Sequence, residues 1–151
     1  MGKKIIIIPI VFLIAVLGIR TYNKIEEYKI QKEISSKIIR FHVRANSDSE
    51  EDQKLKLKVR DEVMAYLDER LPKSGSVKDA KAVLNDNIEE IGQIALATIH
   101  KEGYNYSVSV YFEKSYFPIK TYGDMVFPAG KYEAFRIDTV SYTHLRAHET
   151  V

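Results

Sequence analysis

The sequence predicts an α+β fold, with helices packed on one face of a mainly antiparallel sheet, preceded by an N-terminal hydrophobic export or anchor helix. Three observations carry this reading. Ile38 to Ala45 and Tyr106 to Phe112 alternate apolar and polar residues with period two, the pattern of strands with one wet face. Leu55, Val59, Val63, Leu67 and Leu71 recur every four residues, the apolar ladder of an amphipathic helix. Ile5 to Ile19 is an unbroken apolar or small-residue run directly behind Lys3 and Lys4.

Residues 1–20 read as a signal peptide or a signal anchor. A helix over Ile5–Ile19 would span roughly 22 Å, against a hydrocarbon core of about 30 Å. That is long for a signal-peptide core and short for a spanning helix. No A-x-A cleavage pattern comes after it. If uncleaved, residues 5–19 tie the chain to a membrane, with Lys3 and Lys4 inside and the rest of the chain outside the cytoplasm. Residues 21–37 form a helical stalk or linker, in which Ile30 and Ile34, continued by Ile38, recur every four residues.

From residue 38 to residue 138 the elements belong to one α+β domain. In the first strand Ile39, Phe41, Val43 and Ala45 face one way and Arg40, His42 and Arg44 the other. Asn46 to Ser49 supply turn and cap chemistry. Ser47 stands three residues before Glu50 and Ser49 three before Asp52, so either serine fits a helix N-cap. The helix from about Glu50 to Leu71 closes at Pro72 and Gly75. Leu57 and Met64 widen its apolar arc. Ser76 and Asp79 repeat the capping pattern, and Asn85-Asp86-Asn87 interrupts or recaps the helical stretch that begins there. A further helix stops at Gly103, with Ile88, Ile91, Ala95 and Ile99 on one face and Gly92 among them, where a neighbouring element can come close. After the Tyr106–Phe112 strand, Pro118 argues against a central strand. Tyr122-Gly123-Asp124 and Pro128-Ala129-Gly130 read as turns, and Lys131 to Ile137 as the last strand.

Composition narrows the function. Of 151 residues, about 120 remain for a single core once the two ends are set aside. Net charge is +2, and without Lys3, Lys4 and Arg20 there are 20 basic residues against 21 acidic ones. No basic patch with interleaved aromatics points to nucleic acid. There is no cysteine, hence no disulfide framework and no thiolate metal site.

Four constellations invite a chemical reading. Asp48, Glu50, Glu51 and Asp52 lack the bend glycine of a calcium loop, and helix capping accounts for them. Arg40, His42 and Arg44 make a basic row on a strand face, either solvated surface or a docking face. Tyr116, Phe117, Tyr122, Phe127 and Tyr132 are core and hairpin residues or exposed aromatic anchors. His144 and His148 are spaced for one helix face, but their order is not that of a metalloprotease. No P-loop, dinucleotide fingerprint or nucleophile elbow is present. Neither catalytic residues nor a metal or cofactor is expected.

Arg44-Ala45-Asn46-Ser47-Asp48-Ser49 with Asp52-Gln53, then Leu57-Lys58-Val59-Arg60-Asp61, resembles the stage II sporulation protein R family of spore-forming Firmicutes. So do Phe117-Pro118, Lys120, Tyr122-Gly123 and Pro128-Ala129-Gly130-Lys131-Tyr132-Glu133-Ala134. The likeness covers most of residues 38–137. It implies a signalling protein rather than an enzyme. Such proteins are made in the forespore and exported, secreted or N-terminally anchored, to the space between the two sporulation membranes. There they trigger a membrane-embedded aspartic protease, which processes the sigma-E precursor. The family pattern continues past the last strand into a region with tryptophan and cysteine, and this chain has neither. The string VSYTHLRAHETV instead looks like translated sequencing-adapter read-through, so residues 139–151 are read as a non-native tail on a C-terminally truncated member. Asn46, Ser47, Asp48, Tyr122 and Gly123 are the candidate partner-binding residues, because they fall in loops. The rival readings are a membrane-anchored extracytoplasmic hydrolase using His42 with Asp48 or Glu51, and a passive envelope adaptor.

Overall fold

The computed structural model describes residues 2–71 and 75–141, with side chains from residue 12 onward. Helix α1 (Gly2–Lys37) leads into strand β1 (Ile39–Arg44). Helices α2 (Glu50–Asp68), α3 (Val77–Asp86) and α4 (Ile88–Lys101) come next. Strand β2 (Tyr106–Phe117), the short strands β3 (Lys120–Tyr122) and β4 (Met125–Phe127), and β5 (Gly130–Ser141) complete the chain.

The fold is α+β, but the sheet is mixed rather than mainly antiparallel. Its order is β1-β5-β2, with β3 and β4 forming a separate two-stranded hairpin. β5 pairs antiparallel with β2 from Phe117↔Gly130 to Tyr106↔Ser141. It pairs parallel with β1 from Ile39↔Glu133 to Arg44↔Asp138. A parallel pair needs a long crossover, and the three helices and β2 supply it. The alternation inside a strand shows which face each residue takes but carries no information about the direction of its neighbour.

β5 takes the centre because its two faces are both apolar enough to be covered. Phe135 and Ile137 join the larger core with Val43, Leu55, Val59, Val63, Leu67, Leu84, Ile91, Ala95 and Ile99. Tyr132 and Ala134, on the other face, form a second cluster with Phe117, against which Ile34 and Ile38 pack. α2 and α4 therefore cover one face of the sheet, and the last turns of α1 cover one end of the other.

The helices end where their caps dictate. Ser49 is the α2 N-cap, accepting from the Asp52 backbone N–H at 3.2 Å. Ser76 and Asp79 form a reciprocal capping box at α3. Asn87 makes a one-residue break between α3 and α4. Its amide donates to the Val83 carbonyl at 2.7 Å and accepts from the Tyr66 hydroxyl at 2.8 Å.

Several expected boundaries shift. α1 runs from Gly2 to Lys37 as one helix of 36 residues, about 54 Å long, so the expected apolar segment and stalk are continuous. Within its stalk part Ile34 packs, whereas Ile30 is exposed. Among the described residues no helix is long and apolar enough to cross a membrane. Leu57 and Met64 are exposed, so the buried stripe of α2 is narrower than its composition suggests. A Cβ on Gly92 would meet Val110 at 3.7 Å, an ordinary contact, so the approach there does not require glycine. β2 runs on to Phe117, the residue before Pro118, whose ring cannot donate to a ladder. β5 passes residue 138: Thr139, Val140 and Ser141 are its last rungs, and Thr139 is buried. The remainder of the expected tail, with His144, His148 and Glu149, lies outside the described residues.

Candidate functional site

The loop between β1 and α2 is organised around one buried carboxylate. Asp52 is only 5% exposed. Its Oδ2 accepts from Ser47 Oγ at 2.5 Å and Asn46 Nδ2 at 3.1 Å, and its Oδ1 accepts from Tyr106 OH at 2.9 Å. Desolvation alone would raise its pKa. The hydrogen bonds from Ser47, Asn46, Tyr106 and Ser49 more than offset this and hold it below the usual aspartate value. Tyr106 is pushed up, by burial first and then by Asp52, so its phenol remains a donor.

The same loop is tied to the end of the sheet. Asn46 Oδ1 accepts from the Ser141 N–H at 2.8 Å. Thr139 Oγ1 donates to the Arg44 carbonyl at 3.0 Å. Gln53 Nε2 donates to the Ser47 carbonyl at 2.9 Å. Asn46 and Ser47 thus hold the loop together. Asp48, exposed and outside this network, is the one of the three with a carboxylate free to meet a partner. Of the remaining acids, Glu50 pairs with Lys54 one turn on, and Glu51 is exposed.

The sheet face away from α2 and α4 is a lattice of charge. Arg44 Nη2 and Tyr111 OH both donate to Asp138 Oδ2, at 2.6 and 2.8 Å. Glu113 Oε1 lies 2.5 Å from Arg136 Nε, an ion pair without hydrogen-bond alignment. The Arg40 guanidinium sits 4.4 Å above Phe117 and 5.3 Å from Tyr132. The basic row read from β1 is therefore largely engaged within the domain. Its partner Asp138 was legible in principle, since it alternates away from the apolar Phe135 and Ile137.

His42 belongs to this lattice and not to the acidic loop. Its ring meets Phe117 edge-on at 5.9 Å. Among the described residues no hydrogen bond or ion pair joins it to Asp48 or Glu51, so the pairing behind the hydrolase reading is not assembled. Burial pushes His42 below the usual imidazole value; Arg136 adds to this, and Asp138 opposes it. A depressed histidine resists the proton in the folded chain that the unfolded chain accepts near pH 6.5. Stability is accordingly expected to fall as pH drops below that value, then level off once folded His42 titrates. His42→Gln should flatten this limb. Equal slopes for the two proteins in urea titrations across about pH 7 to 5.5 would refute the assignment.

Tyr122 and Gly123 lie elsewhere. Tyr122↔Met125 is the last pair of the β3–β4 hairpin, with Gly123-Asp124 as its two-residue loop. Gly123 has φ +57 and no residue other than glycine has positive φ among the described residues, the pattern of a type II′ turn. The hairpin leaves the sheet where Phe117 pairs with Gly130, whereas the acidic loop is bonded to Ser141 at the other end. The 12 residues of β5 separate the two by about 36 Å. The five candidate residues are therefore two surfaces at opposite ends of the sheet.

Near the hairpin end, α1 lies across the start of β5. Gln31 Nε2 donates to the Lys131 carbonyl at 3.0 Å. A Cβ on Gly130 would run into the Gln31 side chain. This contact was not visible in the sequence, because 100 residues separate its partners. The only hint was a glycine between the Pro128 turn and the last strand. Among the described residues no group of three or more His, Cys, Asp or Glu could hold a metal ion.

These features define an α+β protein that offers two separate exposed loops at the two ends of one sheet. Residues 35–141 match the family described as Stage II sporulation protein R, and the chain belongs to that family. It is 40% identical over 143 residues to a Bacillus subtilis (strain 168) protein named Stage II sporulation protein R. The match covers 91% of this chain, which spans 63% of that relative's length. No solved structure matches the chain.

Proposed function

We propose that this chain is an exported sporulation signal. It acts from the forespore side on a membrane-embedded aspartic protease, so that the protease processes the sigma-E precursor. The observation that carries this reading is membership of the stage II sporulation protein R family across residues 35–141. The apolar run of α1 supports export or anchoring, and the exposed Asp48 loop suits recognition of another protein. Activation is a population shift: the signal binds the active protease conformation more tightly than the inactive one, and the difference in affinity sets the shift.

Co-expression of the chain, the protease and the sigma-E precursor tests this. Precursor cleavage should appear only when all three are present and should weaken on Asp48→Ala without loss of folding. If the protease is bound but the precursor stays intact, the chain is an adaptor and the signalling reading fails.

A further inference from the structure

The β3–β4 hairpin is unusually bare. Each strand has three residues, and neither joins the main sheet. Such a ribbon is marginal in water by itself. Yet Tyr122, Met125 and Val126 at its end are 54%, 64% and 55% exposed, with Ile119 and Tyr116 exposed at its base. Lys120 reaches back over the Tyr122 ring, with Nζ 5.9 Å from the centroid. An aromatic ring and aliphatic side chains beside one lysine suit the boundary between lipid headgroups and acyl chains. Asp124 at the turn opposes this and favours a shallow position.

The path of α1 names the occupant. A groove of about 1290 Å³ runs between α1 and the hairpin base, lined by Lys24, Tyr28 and Gln31 on one side and Tyr116, Ile119 and Pro128 on the other. The base of the hairpin is thus level with this stretch of α1. Towards its N-terminus α1 continues past the domain and exposes Phe12, Leu13, Ile14, Leu17 and Ile19. From Tyr28 to Ile19 the helix rises about 14 Å. From Ile119 to Gly123 a strand extends about 13 Å. A hairpin running alongside α1 towards its N-terminus therefore brings its tip level with the start of the apolar part of α1.

We propose that the hairpin is a second lipid contact: Tyr122, Met125 and Val126 enter the interfacial layer of the membrane that the apolar part of α1 occupies. This rests on the anchored reading of α1. Two points of contact fix the tilt of the domain, and they leave the acidic loop at the far end of β5 facing away from the bilayer. Neither contact has to span the bilayer.

The chain has no tryptophan, so Tyr122→Trp and Phe12→Trp each create a unique indole fluorophore in the full chain. Both are mixed with phosphatidylethanolamine–phosphatidylglycerol vesicles, with and without brominated acyl chains. Blue-shifted emission quenched by brominated lipid is expected at both positions. Quenching at position 12 but not at position 122 overturns the hairpin contact and leaves the anchor standing. Quenching at position 122 alone removes the anchored reading and with it the two-point contact, and so overturns the proposal. Quenching at neither overturns both. An emission shift in the Tyr122→Trp variant that needs the protease and is indifferent to vesicles assigns the tip to a protein partner and overturns the lipid contact.

Discussion

Asp52→Ala is expected to destabilise the domain by about 3 kcal/mol, since three donors lose a charged acceptor in a largely dry site. Ser47, Asn46 and Tyr106 all point their protons at this carboxylate. The substitution also removes a first-turn acid that complements the α2 dipole. In urea titrations followed by far-ultraviolet circular dichroism, the midpoint should fall by about 2 M. Asp52→Asn should recover only part of the loss. Its carbonyl oxygen can keep the Ser47 and Asn46 donors, but its NH2 then faces Tyr106, whose hydroxyl loses its acceptor, and the charge that strengthened all three bonds is gone. Because the folded pKa of Asp52 is lowered, its contribution is present above the unfolded aspartate value and is lost as pH falls through the folded one. Acid unfolding of the wild type should therefore steepen below about pH 4, and Asp52→Asn should show a shallower limb there. A wild-type-like midpoint for Asp52→Ala would mean that the loop is not built on this residue.

Phe135→Ala is expected to cost about 4 kcal/mol, which approaches the whole stability of a domain this size. Phe135 is fully buried in the central strand. It lies opposite Phe41 on β1 and Phe112 on β2 in the same rung. Its ring stacks on Phe41 at 6.2 Å and tilts against Phe112 at 4.9 Å. Removing it opens a cavity between two strands and the α2–α4 layer and ends both aromatic contacts. Phe135→Leu keeps most of the volume and should cost about 1.5 kcal/mol or less. Loss of cooperative unfolding in the alanine variant, with the leucine variant still folded, would confirm the central rung. An alanine variant within about 1 kcal/mol of wild type would show that β5 is not the centre of the sheet.

Much of the fold was legible because local patterns had one reading. The Leu55–Leu67 ladder could bury only one stripe, and it is that stripe which is buried. Ser49 and Ser76 were each trailed at the right distance by an acid, and each caps a helix. The site was less legible. Asp52 looked like one of four equivalent carboxylates, and only the arrival of Tyr106, 54 residues later, singles it out. Asn46 and Ser47 looked like exposed loop residues, yet they hold the carboxylate.

Taken alone, the sequence determined the apolar N-terminal segment, the position of most elements, the faces of each strand and the family resemblance. These depend on residues within a few positions of one another, where period and cap spacing are decisive. Tertiary structure decided the rest. It placed β5 between β1 and β2 and made one pair parallel, joined α1 to the start of β5 through Gln31 and Gly130, and put the acidic loop and the hairpin at opposite ends of the sheet. The physical reason is that pairing direction and long-range contact are set by which surfaces can be covered together in three dimensions. Alternation along a single strand is the same whichever neighbour it meets.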